Sequence, residues 1–179
     1  MRRRSPFASL GIALIALAPS AAPAEVVDVG DNGFTIREAA TVSADAARAW
    51  AAAVDVGKWW DPEHTYSHDA ANLSLEAKPG GCWCEKLPGK GGVAHGTVLF
   101  TDPGKLLRVS GGLGPLQALG VNSVMTWTFE PAEKGPAVVV TYTSGGYRRG
   151  GFQDLAPIID GVLHAQVDRY QRYVNTGKP

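Results

Sequence analysis

The C-terminal stretch 155–174 constrains the fold of this chain more than any other part of the sequence. At about 100° per residue, its apolar side chains fall on one side of a helix and its polar side chains on the other. Asp154 is a candidate N-cap, Pro157 lies in the first turn, and Gly177 is a candidate end signal. The pattern predicts one long helix that needs an apolar surface to cover it. The apolar side comprises Leu155, Ile158, Ile159, Val162, Leu163, Val167, Tyr170, Tyr173 and Val174, with Gln166 as a polar residue near its centre.

The middle of the chain supplies that surface. From residue 72 onward, apolar and polar residues alternate with the period of β-strands, and a Gly or Pro in most of the connections favours a tight reversal. Together with an earlier strand that starts at Phe34, these segments predict an antiparallel meander of about seven strands. The later strands are predicted at 72–78, 82–87, 93–102, 106–111, 123–130 and 137–144.

Two connections have unusual compositions. After the first strand, Ser43 is a candidate cap for a short helix at 44–56, the first of a predicted helix pair, and one of the adjacent Trp59 and Trp60 is expected to be buried. The connection 112–120 is rich in leucine, which is unusual for a loop, and is predicted to form a lid or a wall over a cavity.

The first 24 residues have the pattern of a secretory signal peptide. Three arginines at 2–4 precede an apolar run at 7–18, and the small residues at 22–24 fit a cleavage site before Glu25. The apolar run is shorter than the roughly 20 residues that span a bilayer. The sequence therefore predicts a periplasmic or secreted protein, with a signal peptide at 1–24, a single ligand-binding domain at 25–179, and no membrane attachment after cleavage.

The charge balance argues against nucleic acid as a partner. The chain has 17 basic and 17 acidic residues, and loss of the three N-terminal arginines would leave 14 against 17, a formal charge of −3. Affinity for phosphates depends on clustered lysine and arginine, and the sequence has no such cluster outside its N-terminus. No motif for a cofactor or a metal ion is evident, so none is expected.

Several segments carry a resemblance to a known superfamily. They are the Trp-Trp-Asp-Pro segment at 59–62, the Gly-Gly pair at 80–81 before a strand that ends in Glu85, the Met-Thr-Trp-Thr-Phe strand at 125–129, and the Asp-Gly-Val-Leu segment at 160–163. In these segments and in its order of elements, the chain resembles exported bacterial members of the SRPBCC superfamily. This helix-grip group includes START lipid-transfer domains, birch-pollen-allergen-like proteins, polyketide cyclases and homologues of the heat-shock-ATPase activator.

The resemblance covers residues 34–174 and implies an α+β helix-grip fold. In that fold a curved antiparallel sheet wraps around the long C-terminal helix, and a cavity between the two holds an apolar small molecule. Aromatic and aliphatic positions on the expected inner faces of sheet and helix are the candidate pocket residues, with the Gln166 amide as a polar contact. They are Trp60, Trp83, Met125, Trp127, Phe129, Tyr142, Ile159, Val162 and Gln166. If the cavity exists, replacing Gln166 by leucine is expected to weaken ligand retention, while it should stabilise a solid core.

The Cys82-Trp83-Cys84-Glu85 segment leaves three alternatives open. The compartment favours a disulfide between Cys82 and Cys84, but in a regular strand residues two apart lie about 6.6 Å from each other, so a bulge would be required. Two thiolates on one face would also suit a soft metal ion together with His95, or with His64 and His68. The third alternative is a pair of small buried side chains.

Three hypotheses for function follow. The first is an exported protein that binds a small apolar or amphipathic molecule without covalent chemistry. The second is an enzyme of the cyclase or isomerase type, with Glu85, His95 or Tyr142 as acid and base, although neither of the strand carboxylates Glu76 and Glu85 has a proton-transfer partner that the sequence identifies. The third is a partner-binding module that resembles the chaperone-activator homologues. The absence of a Ser-His-Asp order or a phosphate-binding loop favours the first.

Overall fold

The computed structural model describes residues 25–132 and 135–179, so the predicted signal peptide lies outside the described residues. One antiparallel sheet of eight strands has the order β1-β2-β8-β7-β6-β5-β4-β3. The strands are β1 Glu25–Val29, β2 Gly33–Thr41, β3 Leu73–Leu75, β4 Cys82–Lys86, β5 Gly92–Asp102, β6 Leu106–Ser110, β7 Gly120–Glu130 and β8 Ala137–Tyr147.

The helices are α1 Ala46–Val54 and α2 Ala156–Thr176, and α2 lies against β1, β2 and α1. This is the predicted α+β helix-grip fold, in which a curved sheet wraps around the C-terminal helix. Within the part of the chain that the structure describes, no helix is both long and apolar enough to span a bilayer.

The sheet differs from the prediction mainly at its edge. The additional strand β1 pairs with β2, and four of its five residues are exposed. Because Val26 is the only one of its five residues that is even partly buried, its sequence lacks the alternation that identifies a half-buried strand. The central strands β7 and β8 also each extend about three residues further than predicted. They pair with each other from Gly120 opposite Tyr147 to Glu130 opposite Ala137.

The predicted helix pair is one α-helix followed by short 3-10 turns at Val56–Lys58, Pro62–His64 and Ala70–Asn72. Gly57 and Pro62 occupy the first two of these turns, and neither residue supports a continuous helix. Both adjacent tryptophans are buried, although only one was expected to be. Trp59 is 1% exposed and Trp60 is 6% exposed.

Two of the predicted helix N-caps, Ser43 and Asp154, are wrong. The α1 cap is Asp45, whose Oδ1 accepts from the Arg48 N–H at 2.8 Å, whereas Ser43 donates to Asn175. The α2 N-cap is Leu155, without a side-chain bond, because Asp154 pairs with Arg148. The C-terminal end is as predicted, with Gly177 at a φ of 79° in the left-handed conformation.

The interface between α2 and the sheet has two different halves. The packed half is formed by residues 166–174 of α2 together with the rings of Trp59, Trp127 and Phe129. Trp127 lies 5.8 Å from Trp59 and 5.1 Å from Tyr170 between ring centroids, and the Tyr170 hydroxyl donates to the Ala49 carbonyl at 2.9 Å. The hollow half is formed by residues 158–163 of α2, and it encloses the candidate site.

Candidate functional site

A cavity of about 350 Å³ lies in the hollow half, which is within the usual range for a small-molecule site. Residues of α2 form one wall, β3 to β5 form another, and two loops close the rest. The lining is mostly apolar. It comprises Trp60, His64, Thr65, Tyr66, Leu73, Trp83, His95, Leu113, Gly114, Pro115, Ile158, Ile159, Val162 and Leu163.

Two loops meet over the cavity. Leu113, Gly114 and Pro115 come from the connection that was predicted to be a lid or a wall. The Tyr66 hydroxyl, from the segment after α1, donates to the Gly114 carbonyl at 3.3 Å and so joins the two loops. Tyr66 is half exposed at this junction.

Tyr142 does not line the cavity but anchors the connection 112–120, which we call the lid loop. Its hydroxyl accepts from the Leu113 N–H at 3.1 Å and donates to the Gly111 carbonyl at 3.3 Å. Burial raises the pKa of Tyr142 above its ordinary value. A hydroxyl that is occupied on both sides and kept protonated anchors a loop, and it is a poor acid or base for a ligand elsewhere.

Gln166 also lies outside the cavity lining. Its side-chain oxygen accepts from the Asp61 N–H at 2.9 Å, which fixes the segment carrying Trp59 and Trp60 onto α2. The Arg169 Nε donates to the Trp59 carbonyl at 2.9 Å and strengthens the same attachment. Gln166 Nε2 is buried and has no hydrogen-bond partner among the described residues.

Of the nine predicted pocket residues, Trp60, Trp83, Ile159 and Val162 line the cavity. Met125, Trp127 and Phe129 are buried on the inner face of β7, and the rings of the last two belong to the packed half. Strand alternation correctly predicts which face of the sheet a residue lies on. It does not predict which part of α2 lies opposite that residue, and this decides whether the side chain borders the cavity or packs against another ring.

Glu85 and His95 form a buried pair at the inner wall. His95 Nε2 lies 2.9 Å from Glu85 Oε2, and the two side chains are 7% and 0% exposed. The Tyr66 and Ser67 N–H groups donate to Glu85 Oε2 and Oε1 at 3.2 and 2.5 Å. Burial alone would raise the pKa of Glu85, but hydrogen bonds from Ser67, Tyr66 and His95 outweigh it and hold the pKa below its ordinary value.

A bulge in the sheet places His95 in this position. Trp83 pairs with Gly96 and Cys84 pairs with Ala94, so His95 is an extra residue on β5. An extra residue interrupts the alternation and turns its side chain, as bulges near functional sites often do. The sequence gives each residue of the pair a strand position, but the bulge that joins them is a tertiary feature.

Cys82 and Cys84 form a disulfide with a Cα–Cα distance of 5.4 Å. Both are half-buried, whereas the intervening Trp83 and the following Glu85 are buried on the cavity side. The expected bulge is present opposite the disulfide, but its extra residue is on the partner strand β5 and not on β4, which carries the two cysteines. Among residues 25–132 and 135–179, no group of three or more His, Cys, Asp or Glu side chains is arranged to hold a metal ion.

A second carboxylate–imidazole pair joins β2 to α2 outside the cavity lining. His164 Nδ1 lies 3.1 Å from Glu38 Oε2, with Glu38 buried and His164 half exposed. Burial raises the pKa of Glu38, and the hydrogen bond to Glu38 raises the pKa of His164. Glu38 thus resists ionisation, whereas Glu85 favours it, although both carboxyl groups are buried beside an imidazole.

Comparison with known proteins agrees with this architecture. The model of the family described as polyketide cyclase / dehydrase and lipid transport matches residues 33–175. The chain therefore belongs to that family and to the SRPBCC superfamily, as the sequence resemblance predicted. None of the curated proteins matches the chain.

Solved structures share the fold at low sequence identity. A Chromobacterium violaceum protein is 18% identical with a TM-score of 0.57, over 78% of this chain and 96% of that chain. The Aha1 protein of Colwellia psychrerythraea, described as a dimer, is 17% identical with a TM-score of 0.56, over 81% and 98%. DynU16, from the dynemicin biosynthetic locus, is 20% identical with a TM-score of 0.56, over 81% and 48%. These likenesses show the fold alone.

Sequence reasoning missed part of the lining, which includes Tyr66, Leu73, Pro115 and Leu163. A signal existed for some of it, because Leu163 belongs to the apolar side of α2 and Pro115 lies in the apolar connection. Tyr66 gave no such signal, since its place at the mouth depends on how the segment after α1 folds back over β4.

Proposed function

We propose that this protein binds a small, mainly apolar molecule in the cavity of the hollow half. The observation that carries the proposal is the cavity itself, which has a volume of about 350 Å³. Of its 14 lining residues, only two histidines, one threonine and one tyrosine are excluded from the 10 that are tryptophan, aliphatic, proline or glycine. Native proteins rarely leave such space unfilled, because lost packing contacts and lost burial both cost stability. Membership of a family described by cyclisation, dehydration and lipid transport supports the same proposal.

Mass spectrometry of the gently purified protein tests it directly. A molecule that co-purifies with the wild type, and is absent from a Val162→Phe variant in which the new ring fills the cavity, is the expected result. Val167→Phe, on the same helix in the packed half, is the matched control for the effect of adding a ring. Failure of the wild type to retain or take up any apolar molecule would contradict the proposal.

Catalysis in the same cavity is a second candidate, and the buried Glu85–His95 pair favours it. A carboxylate that orients an imidazole is a common arrangement for moving a proton, and His95 lines the cavity. Once a ligand is identified, turnover should be measured with wild type and with Glu85→Gln. Conversion by the wild type and its loss in the variant would support an enzyme, whereas an unchanged ligand would support a binding protein.

A partner-binding role like that of the chaperone-activator homologues has only a likeness in fold in its favour, and one fold hosts many functions. The named Aha1 structure is 17% identical to this chain. The cavity provides a more specific basis for a proposal than that likeness does.

Export to the periplasm or beyond belongs to the proposal as well. It is supported by the n-region, apolar run and cleavage pattern of residues 1–24, and by a disulfide of the kind that persists in oxidising compartments. Cell fractionation and N-terminal sequencing provide the test. A mature protein that starts at Glu25 is expected, and a cytosolic protein that retains residue 1 would contradict export.

A further inference from the structure

The cavity is closed by two loops, and a buried carboxylate holds one of them. Residues 64–68, which we call the mouth loop, contribute His64, Thr65 and Tyr66 to the lining, and the lid loop contributes residues 113–115. The remaining walls are α2 and the paired strands β3 to β5, whose backbones are fixed by regular hydrogen bonding. A ligand of the cavity would therefore enter and leave where the two loops meet.

Glu85 attaches the mouth loop to the sheet. The Tyr66 N–H donates to Glu85 Oε2 at 3.2 Å and the Ser67 N–H donates to Glu85 Oε1 at 2.5 Å, so each carboxylate oxygen binds one of two consecutive peptide groups. The Glu85 side chain is 0% exposed, so water does not compete for these bonds. Bonds to two adjacent peptides fix the position of the loop and the direction in which the Tyr66 side chain leaves it.

The mouth loop does not keep its shape by local preference alone. His68 has a φ of 56°, in the left-handed region that residues other than glycine adopt at an energetic cost. The Trp60 indole donates to the His64 carbonyl at 3.1 Å, and the Tyr66 hydroxyl reaches the lid loop. Among the described residues, no hydrogen bond except those to Glu85 joins the mouth loop to the sheet.

We infer that Glu85 is a positioning residue of the binding site, whose carboxylate holds the mouth loop over the cavity and thereby sets how fast a ligand leaves. This inference rests on the proposed function and adds a residue that controls the site without touching the ligand. Glu85 is not part of the lining, so it acts through the mouth loop. Because the Tyr66 hydroxyl bonds to Gly114, displacement of the mouth loop would break the junction with the lid loop as well.

The same contacts make release sensitive to acid. Burial raises the pKa of Glu85, but hydrogen bonds from the mouth loop and from His95 outweigh it and keep the pKa below its ordinary value. Protonation of Glu85 therefore favours the state in which these bonds are broken. Of the elements around Glu85, β3 carries no titratable side chain and β5 contributes His95, which is in contact with it. The mouth loop contributes His64, Tyr66 and His68.

The dissociation kinetics of an uncharged fluorescent probe, N-phenylnaphthylamine, test the inference by stopped-flow fluorescence. Glu85→Gln replaces one acceptor oxygen by an amide that donates, so a mouth-loop N–H loses its bond. At neutral pH the dissociation rate constant of this variant should be at least about tenfold above that of the wild type, as expected for a lost bond to a charged group. Glu76→Gln makes the same change at an exposed carboxylate and should leave the rate constant unchanged.

A pH profile distinguishes this role from a general loss of stability. The wild-type dissociation rate constant should rise toward that of Glu85→Gln as the pH falls below about 4.5, because protonation breaks the same bonds. The rate constant of Glu85→Gln should change less over that range, within which circular dichroism must show an intact fold. Tyr66→Phe removes the bond to the lid loop and should raise the rate constant several-fold at every pH. If Glu85→Gln does not fold, the wild-type profile and Tyr66→Phe still test the inference.

The outcomes separate this inference from the proposed function. If the wild type takes up neither this probe nor any other apolar molecule, the binding function fails and the inference fails with it. If the wild type binds the probe and Glu85→Gln releases it at the wild-type rate, the binding function stands and the positioning role is overturned. An equal rise in acid for the wild type and for Glu85→Gln would also overturn it, because another group would then control release.

Discussion

The packed and hollow halves share one helix and one sheet but differ in what faces the helix. In the packed half, Trp127 fills the space between Trp59 and Tyr170. In the hollow half, Trp60 and Trp83 pack against each other edge-on at 5.1 Å, and the lid loop lies above a space that they do not fill. The difference shows that an apolar helix face does not distinguish a core from a binding site. The elements opposite the helix decide between the two.

The largest expected contrast is in the response to truncation. Trp127→Ala removes a ring from the packed half and should lower the free energy of unfolding by about 3–5 kcal/mol, because neighbouring rings cannot collapse into the gap. Val162→Ala removes two methyl groups that already border empty space and should cost less than about 1 kcal/mol. Urea unfolding measures both. Similar costs per atom removed would contradict the division into two halves.

Enlarging a valine tests the same division from the opposite direction. Val167 is 3% exposed in the packed half, so Val167→Phe should lower the free energy of unfolding by about 1–3 kcal/mol through overpacking. In Val162→Phe the ring should enter the cavity at little cost in stability and abolish the binding of a small apolar probe such as methylnaphthalene. Thermal unfolding and calorimetric titration check the pair, and a cavity variant that still binds the probe would locate the site elsewhere.

The two buried glutamates should respond to pH in opposite directions. The pKa of Glu85 is lowered on folding, so its ionised form stabilises the protein above about pH 4.5, and this contribution is lost as the pH falls through the folded pKa. The pKa of Glu38 is raised, so stability is lost as the pH rises from about 4.5 through its folded pKa. Glu85→Gln should cost about 1–2 kcal/mol at neutral pH and less in acid.

Glu38→Gln is the matched control for that measurement, because it changes the other buried glutamate in the same way. Apart from a constant cost for the lost pairing with His164, its free energy of unfolding should equal that of the wild type in acid. As the pH rises, the variant should become the more stable of the two. Urea unfolding over a pH series distinguishes the variants. Parallel pH profiles would show that the two pairs are electrostatically alike.

The smallest expected effect on stability is at Gln166, where the packed half meets the hollow half. Gln166→Leu removes the acceptor of the Asp61 N–H but also removes the unpaired Nε2, so a net loss of about 1 kcal/mol is expected. The sequence suggested the opposite sign for a solid core, because it does not reveal the bond to Asp61. Chemical unfolding measures the change, and Gln166→Met serves as an unbranched apolar control. A stabilised leucine variant would show that this hydrogen bond contributes little.

Much of the fold is determined locally and could be predicted. The helix at 156–176 follows from the period of its apolar residues and its terminal glycine, and β2 and β4 to β8 follow from their approximate period of two between turn residues. The exposed strand β1 and the 3-10 turns after α1 were not predicted, because they have no buried face of regular period. Trp83 was placed on one face and Cys82 with Cys84 on the other by alternation alone.

The site depended on contacts between distant parts of the chain. Glu85 and His95 become partners because β4 pairs with β5 in a register that leaves His95 as a bulge. Trp127 and Trp83 are both inward-facing tryptophans on alternating strands, yet one meets Tyr170 and the other lines a cavity. The sequence by itself determined which side chains face inward, because strand and helix periods are local properties. The tertiary structure alone decided which of them leave space for a ligand, since that depends on which neighbours lie opposite.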